Sequence, residues 1–267
     1  MIKVELPSTS VMVTEFCSLR CKLCLAYIPY YKEYRHMNLN VAKKIIKRYF
    51  NIVDFVDKFS ITGGEPLLNP ELDLILLEIF RYSSQIKKEI ILITNGTILL
   101  KDELINILKQ NRKIKVIVNN YEGLSLYAEK NYEILCSNGI NAILYTEDNR
   151  YGWIDCRDHT LKHATIEDCI KQAKCCEFFR GKKYVISRGN LYTCTRAAYR
   201  IQENIITYTD SDYLDLLCDE ESFEADKQKL NKMLNAEYTV SCAYCDGLTK
   251  NSKKYRAAEQ IKLDEIV

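Results

Sequence analysis

Residues 11–24 read VMVTEFCSLRCKLC, an apolar, strand-like start from Val11 to Thr14 that runs into a loop carrying Cys17, Cys21 and Cys24. The C-x3-C-x2-C spacing offers three thiols and no fourth. A cubane iron-sulfur cluster has four irons and is usually held by four thiolates, so a three-thiol loop leaves one iron free for an outside ligand. Two other readings of the triplet stay open. It is also compatible with half of a zinc site completed from elsewhere, or with thiols buried as small apolar side chains.

Outward from that loop, strand-like and helix-like patterns alternate, which predicts βα units and a parallel sheet. Strands are expected at Val11–Thr14, Phe59–Thr62, Ile90–Thr94, Ile114–Asn119 and Ala142–Thr146, with a sixth at Tyr151–Asp155. Helices are expected at Asn40–Asn51, from Asn69-Pro70 through Tyr82, at Lys101–Gln110 and at Leu124–Ser137. The second strand runs into Gly63-Gly64-Glu65-Pro66, the third ends at Thr94-Asn95-Gly96 and the fourth at Asn119-Asn120. Parallel α/β folds collect their chemistry at the C-terminal ends of strands, so these loops predict one shared pocket. Thr94, Asn95 and Asn119 bring hydrogen-bonding groups to it, although Thr94-Asn95-Gly96 also reads as a plain turn.

The cysteine triplet after the first strand and the Gly-Gly-Glu-Pro after the second resemble the radical S-adenosylmethionine (radical SAM) superfamily. The resemblance implies an open, partial (β/α)6 barrel over residues 1–160. It also implies a [4Fe-4S] cluster on Cys17, Cys21 and Cys24 whose fourth iron is chelated by SAM. Gly63 and Gly64 would then allow close approach to the methionine part of SAM, with Glu65 near its amino group. Leu23 stands where an aromatic residue is commoner in that family and would cover the adenine.

After residue 160 the pattern changes to a short helix, Ile166–Ala173, and a two-stranded hairpin around Arg188-Gly189-Asn190. Cys176 precedes the hairpin, Cys194 ends it, and Cys242 and Cys245 form a C-x2-C pair after an expected helix at Ser222–Ala236. A structural zinc site fits these four thiols as well as a cluster does. This layout resembles the twitch domain, the shortened SPASM domain of radical SAM proteins. It implies a second domain over 161–267, a cysteine-rich hairpin-plus-helix appendage with an auxiliary [4Fe-4S] cluster on Cys176, Cys194, Cys242 and Cys245. Cys175 competes with Cys176 as ligand. Cys136, Cys156, Cys169 and Cys218 fall outside the spacing and read as small buried residues.

At 267 residues with a formal net charge of +2, the chain has neither the charge bias of a nucleic-acid binder nor that of a protein held on an anionic membrane. The N-terminus shows no secretory signal pattern, and no apolar stretch is long enough to span a bilayer. Twelve cysteines, clustered partly in metal-like spacings and not as a disulfide framework, predict a cytoplasmic protein.

The resemblance further implies reduction by a flavodoxin or ferredoxin and cleavage of SAM to a 5'-deoxyadenosyl radical. Hydrogen abstraction from a small-molecule substrate would follow, with the auxiliary cluster taking the second electron. Similarity in length and cysteine layout to aminocyclitol dehydrogenases favours oxidation of a secondary alcohol in a sugar or cyclitol, over a peptide-modifying maturase or a redox-neutral epimerase or dehydratase. Only ten residues precede Val11, so no peptide-recognition module is expected there. Arg150, Arg157, Arg188, Arg196 and Arg200 read either as solvated charges or as phosphate and carboxylate binders. Arg196, beside Cys194, is the strongest of these and predicts an anionic substrate such as a phosphorylated or nucleotide-linked sugar. His159, Tyr192, Asp155 and Asp158 are candidate proton acceptors.

Overall fold

The structure, a computed structural model, describes residues 3–148, 152–218 and 222–262. Its first half alternates strands and helices in the order β1 (Glu5–Met12), α1 (Leu39–Ile52), β2 (Phe55–Thr62), α2 (Leu72–Phe80), β3 (Ile86–Thr94), α3 (Asp102–Leu108), β4 (Ile114–Asn119), α4 (Ala128–Ser137) and β5 (Asn141–Tyr145). The second half adds α5 (Ile166–Cys175), α6 (Glu177–Arg180), β6 (Lys183–Ser187), β7 (Asn190–Tyr192), α7 (Thr195–Gln202), β8 (Tyr213–Asp215) and α8 (Phe223–Asn235). All eight strands form one open sheet in the order β5-β4-β3-β2-β1-β6-β7-β8.

β1 through β5 pair in parallel, and the core lies between them and the helices that return the chain. Ile45, Ile46 and Tyr49 of α1, Phe59 and Ile61 of β2, Ile75 and Leu76 of α2, and Leu92 and Val116 of β3 and β4 have no exposed surface. A parallel sheet buried on both faces needs such near-continuous apolar runs. α1 starts where Asn38 accepts a hydrogen bond from the Val41 amide at 2.9 Å, a side-chain cap that frees the helix from an unmet donor.

The sixth parallel strand is β6, not Tyr151–Asp155. It pairs with β1 on the side away from β2, from Ser8 opposite Lys183 to Val11 opposite Ile186. Tyr151 lies outside the described residues, and Gly152–Asp155 makes only one bridge, Trp153 with Tyr255. The physical reason is burial. Tyr184, Val185 and Ile186 can be covered on both faces, whereas Asp155, Arg157 and Asp158 need water. The hairpin β6–β7 therefore extends the same sheet. Its two-residue turn places Arg188 at φ 47° and Gly189 at φ 87°, the left-handed pair that a tight hairpin uses.

Helix α7 was not expected. It starts on Cys194, whose sulfur accepts the Ala197 amide at 3.4 Å, a cap that cysteine rarely advertises in a sequence.

Candidate functional site

The three-cysteine loop leaves β1 at the C-terminal edge of the sheet. Cys21 is buried, Cys17 and Cys24 are partly buried, and the three thiols influence one another electrostatically. Burial pushes the Cys17 thiol up to about 11 and the Cys21 thiol up to about 12, and it raises Cys24 as well. These groups are therefore protonated at neutral pH until a metal displaces the protons.

The Gly-Gly-Glu-Pro turn is knitted to the same loop. The Gly64 amide donates to the Thr14 carbonyl and the Glu65 amide to the Phe16 carbonyl, each at 2.8 Å. A Cβ on Gly64 would stand 2.1 Å from the Phe16 oxygen and 2.9 Å from the Cys17 Cβ, so only glycine permits this approach. Glu65 has no exposed surface. Its Oε1 accepts the Leu67 amide at 3.1 Å and its Oε2 the Asn95 amide at 2.7 Å, and burial lifts its carboxyl to about 7. It thereby ties the end of β2 to the end of β3. Asn95 Nδ2 reaches Ser18 Oγ at 3.1 Å and Cys17 Sγ at 3.6 Å, and Asn119 Nδ2 donates to the Thr94 carbonyl at 3.3 Å. The Thr94-Asn95-Gly96 segment is thus both a turn, with the Thr97 amide on Asn95 Oδ1, and a neighbour of the cysteine loop.

A segment far along the chain covers that loop. The Lys22 amide donates to the Glu259 carbonyl at 2.7 Å and the Ile261 amide to the Arg20 carbonyl at 2.8 Å. Gln260 Nε2 lies 3.4 Å from Cys21 Sγ, and Ala258 packs against Leu19 and Cys21. Nothing in the local sequence signalled this contact.

The second set converges too. Cys176, Cys194, Cys242 and Cys245 line one narrow cavity with Gln172, Phe178, Thr193, Arg196 and Gly247, whereas Cys175 is exposed. Burial raises the Cys194 thiol and pushes Cys242 up to about 12. Gln172 Nε2 and Thr193 Oγ1 are buried here without a hydrogen-bond partner. A Cβ on Gly247 would meet Gln172 Nε2 at 2.2 Å and Cys176 Sγ at 3.4 Å. Polar atoms left unmet around a sulfur-lined space suit an occupant that accepts hydrogen bonds.

A cavity of about 420 Å³ that touches both sets is lined by Leu23, Leu25, Gly152, Trp153, Ile154, Glu177, Phe178, Lys183 and Leu248. Leu23 belongs to the first cysteine loop, and Phe178 also walls the four-cysteine cavity.

Other expected site residues lie elsewhere. Tyr192 is buried, with its hydroxyl 3.3 Å from Asn190 Nδ2 and 3.4 Å from Gln202 Nε2. His159 Nδ1 accepts Arg200 Nε at 3.1 Å, and burial beside that cation lowers its pKa. Asp155 pairs with Arg157 at 2.6 Å, and Asp158 caps Thr160. Arg188 grips Glu15 with two bonds of 2.7 and 3.0 Å, fastening the hairpin turn to the start of the cysteine loop. Arg200 is held by Ser241 and the Asp158 carbonyl, and Arg150 lies outside the described residues. Cys169 is buried as expected, but Cys136 is exposed on α4, and Cys156 and Cys218 are partly exposed. Trp153, Phe178, Glu177 and Gln260 were missed, because their roles come from distant segments meeting.

Residues 11–125 match the family model described as the Radical SAM superfamily. The GTP 3',8-cyclase of Aliarcobacter butzleri (strain RM4018) is 38% identical over 93 residues, 34% of this chain and 28% of that protein. That of Aquifex aeolicus (strain VF5) is 33% identical over 129 residues, 47% of this chain and 37% of that protein. The chain thus spans well under half the length of these curated relatives. BtrN in complex with AdoMet and 2-DOIA superposes with a TM-score of 0.57 at 16% identity, covering 96% of this chain and 99% of BtrN. Native anSMEcpe with bound AdoMet gives 0.54 at 15% identity, covering 94% and 93%. The fold recurs in both along nearly its whole length, and the match to the radical SAM superfamily model, confined to residues 11–125, starts on the strand that feeds the three-cysteine loop.

Proposed function

We propose that the chain is a radical SAM oxidoreductase that removes two electrons from a secondary alcohol of a small polyol or cyclitol, using an auxiliary [4Fe-4S] cluster as internal acceptor. The observation that carries this reading is the 420 Å³ cavity, which touches the first cysteine loop through Leu23 and the four-thiol cavity through Phe178. When bound, SAM and the clusters supply hydrogen-atom abstraction by a 5'-deoxyadenosyl radical and a one-electron sink, so a carbinol carbon that also loses a proton ends as a ketone.

The residues divide the remaining work. Cys17, Cys21 and Cys24 hold the SAM-binding cluster, Gly63 and Gly64 admit the methionine portion, and Leu23 closes over the adenine. Thr94, Asn95 and Asn119 offer hydrogen bonds at the strand ends. Cys176, Cys194, Cys242 and Cys245 hold the auxiliary cluster in a twitch-like second unit over residues 161–267, following the radical SAM unit over 1–160. Glu177, one of the residues that line the cavity, takes the proton in place of His159, Tyr192, Asp155 or Asp158. Trp153, Ile154, Phe178 and Leu248 exclude water, which strengthens every polar contact inside.

The substrate is unphosphorylated in this reading. Arg157, Arg188 and Arg200 are engaged within the protein, and among the described residues that line the cavity the one cation is Lys183. The cyclase activity named for the curated relatives is not carried over, because an alignment of 129 residues cannot reach from Cys17 to Cys245. A ferredoxin or flavodoxin in the cytoplasm would supply the reducing electron; no helix among the described residues is long and apolar enough to cross a membrane.

The test is iron and sulfide content after anaerobic reconstitution, with a C17A/C21A/C24A variant alongside. About eight irons falling to about four is the expected result for two cubanes. About four falling to none, with zinc retained, would remove the internal electron acceptor and turn the reading to a redox-neutral reaction.

A further inference from the structure

Arg196 is 2% exposed, yet no carboxylate among the described residues pairs with it. Its NH2 group lies 3.7 Å from Cys176 Sγ, its NH1 group 3.7 Å from Cys156 Sγ, and its guanidinium carbon 5.1 Å from the centre of the Phe178 ring. Other buried arginines are provided for differently. Arg48 meets Asp226 at 2.6 Å, Arg188 meets Glu15, and Arg200 meets the Ser241 carbonyl and hydroxyl. Arg196 is placed among sulfur atoms.

A guanidinium cannot shed its proton within a protein, so its charge is permanent. Burying such a charge without an anion costs far more than a fold can carry, and neutral thiols are weak acceptors. The countercharge must come from thiolates, which form when Cys176 and its partners bind metal. A cubane held by four thiolates carries net negative charge, one unit more when reduced. A fixed cation donating to one of its sulfurs stabilises the reduced form more than the oxidised form, and cluster potentials respond to both net charge and hydrogen bonds at sulfur.

We propose that Arg196 is the residue that sets the redox potential of the auxiliary cluster. Its NH2 group, donating to the Cys176 sulfur, would raise the potential of a cluster held there by favouring its reduced form. Cys156 holds the other arm of the fork and Phe178 its face, which fixes the guanidinium at the sulfur. Arg196 is therefore a positioning and tuning residue, not a group that grips a phosphate. The inference rests on the reading of Cys176, Cys194, Cys242 and Cys245 as cluster ligands.

The experiment uses the full chain carrying C17A/C21A/C24A, so that only the auxiliary cluster is present, and adds R196Q or R196K. Iron content and far-UV circular dichroism are recorded first, then the midpoint potential by redox titration followed by electron paramagnetic resonance. Four irons per chain are expected throughout. R196Q is expected to lower the midpoint by at least 59 mV, a tenfold change in the one-electron equilibrium constant, with R196K recovering part of the shift. An unchanged midpoint in R196Q with iron retained would overturn the proposal. So would loss of iron or of fold in both variants, which would make the guanidinium a structural brace of the thiols. If the parent variant holds zinc and no iron, it is the cluster reading that fails, and the tuning role fails with it.

Discussion

Glu65 is a carboxyl with every oxygen used and no water to help it. Burial raises it from the ordinary 4.5 to about 7, against the pull of the Asn95 and Leu67 amides. Its favourable contribution is complete below pH 4.5, where it is neutral both folded and unfolded, and is lost as the pH climbs through 7. At about 1.4 kcal/mol per unit, the stability of the metal-free protein relative to E65Q should fall by about 3 kcal/mol between pH 4.5 and 8. Urea unfolding at several pH values reads this directly, and a constant difference would mean that the carboxyl ionises normally. Glu177 makes a different prediction. E177Q should slow substrate oxidation by about 100-fold to 10,000-fold, the usual reach of a general base, while formation of 5'-deoxyadenosine continues. Equal loss of both would remove Glu177 from the proton step. Neither glutamate's role was legible in sequence in full: the bracing of two loops by Glu65 comes from backbone amides the sequence does not mark, and Glu177 had no signal beyond following Cys176.

At the scale of elements, the strands up to β5 were readable because each combines an apolar run with a turn signal at its end. Boundaries differ, by four residues at β2, which begins at Phe55 rather than Phe59, and more at β1, which runs Glu5–Met12 rather than Val11–Thr14. The loop between β2 and α2 owes its shape to backbone contact. G64A would drive a methyl group into the Phe16 carbonyl, which cannot yield cheaply because it belongs to the cysteine loop itself. The expected outcome is loss of the first cluster, about four irons instead of about eight, with the four-thiol site intact; retention of all eight would show the loop to be pliant. The strap over the first cysteine loop belongs to this scale as well. Ending the chain at Lys254 removes the Gln260 contact to Cys21 and the two backbone bonds to Arg20 and Lys22. The shortened protein should lose iron from the three-cysteine site to a chelator at least several-fold faster, with the auxiliary site unaffected. Helix α7 escaped the sequence reading because a cysteine cap leaves no local trace; the hairpin strand β6 was expected, but its pairing with β1, 175 residues away (Lys183 opposite Ser8), was not.

For the whole molecule, β1 is decisive: it pairs with β2 on one side and β6 on the other. That central place carries the first cysteine loop at its C-terminal end and sets beside it the hairpin whose flanks carry Cys176 and Cys194. A cavity that touches both thiol sets predicts that substrate and both redox centres work in one turnover. With substrate deuterated at the carbinol carbon, the label should appear in 5'-deoxyadenosine, with one equivalent of ketone formed per equivalent of 5'-deoxyadenosine. Label transfer without ketone would favour a redox-neutral outcome, and no transfer from any small polyol would favour a peptide.

The sequence by itself determined the alternation of strands and helices, the two groups of cysteines and the glycine pair, because periodicity, spacing and the absence of a Cβ are local properties. Burying Cys176 in the four-thiol cavity while leaving Cys175 exposed, moving the sixth strand to Lys183–Ser187, committing Arg188 and Arg200 to internal partners and leaving Arg196 among sulfurs were decided only in the tertiary structure. Each depends on which residues are denied water, and burial is a property of the packed chain.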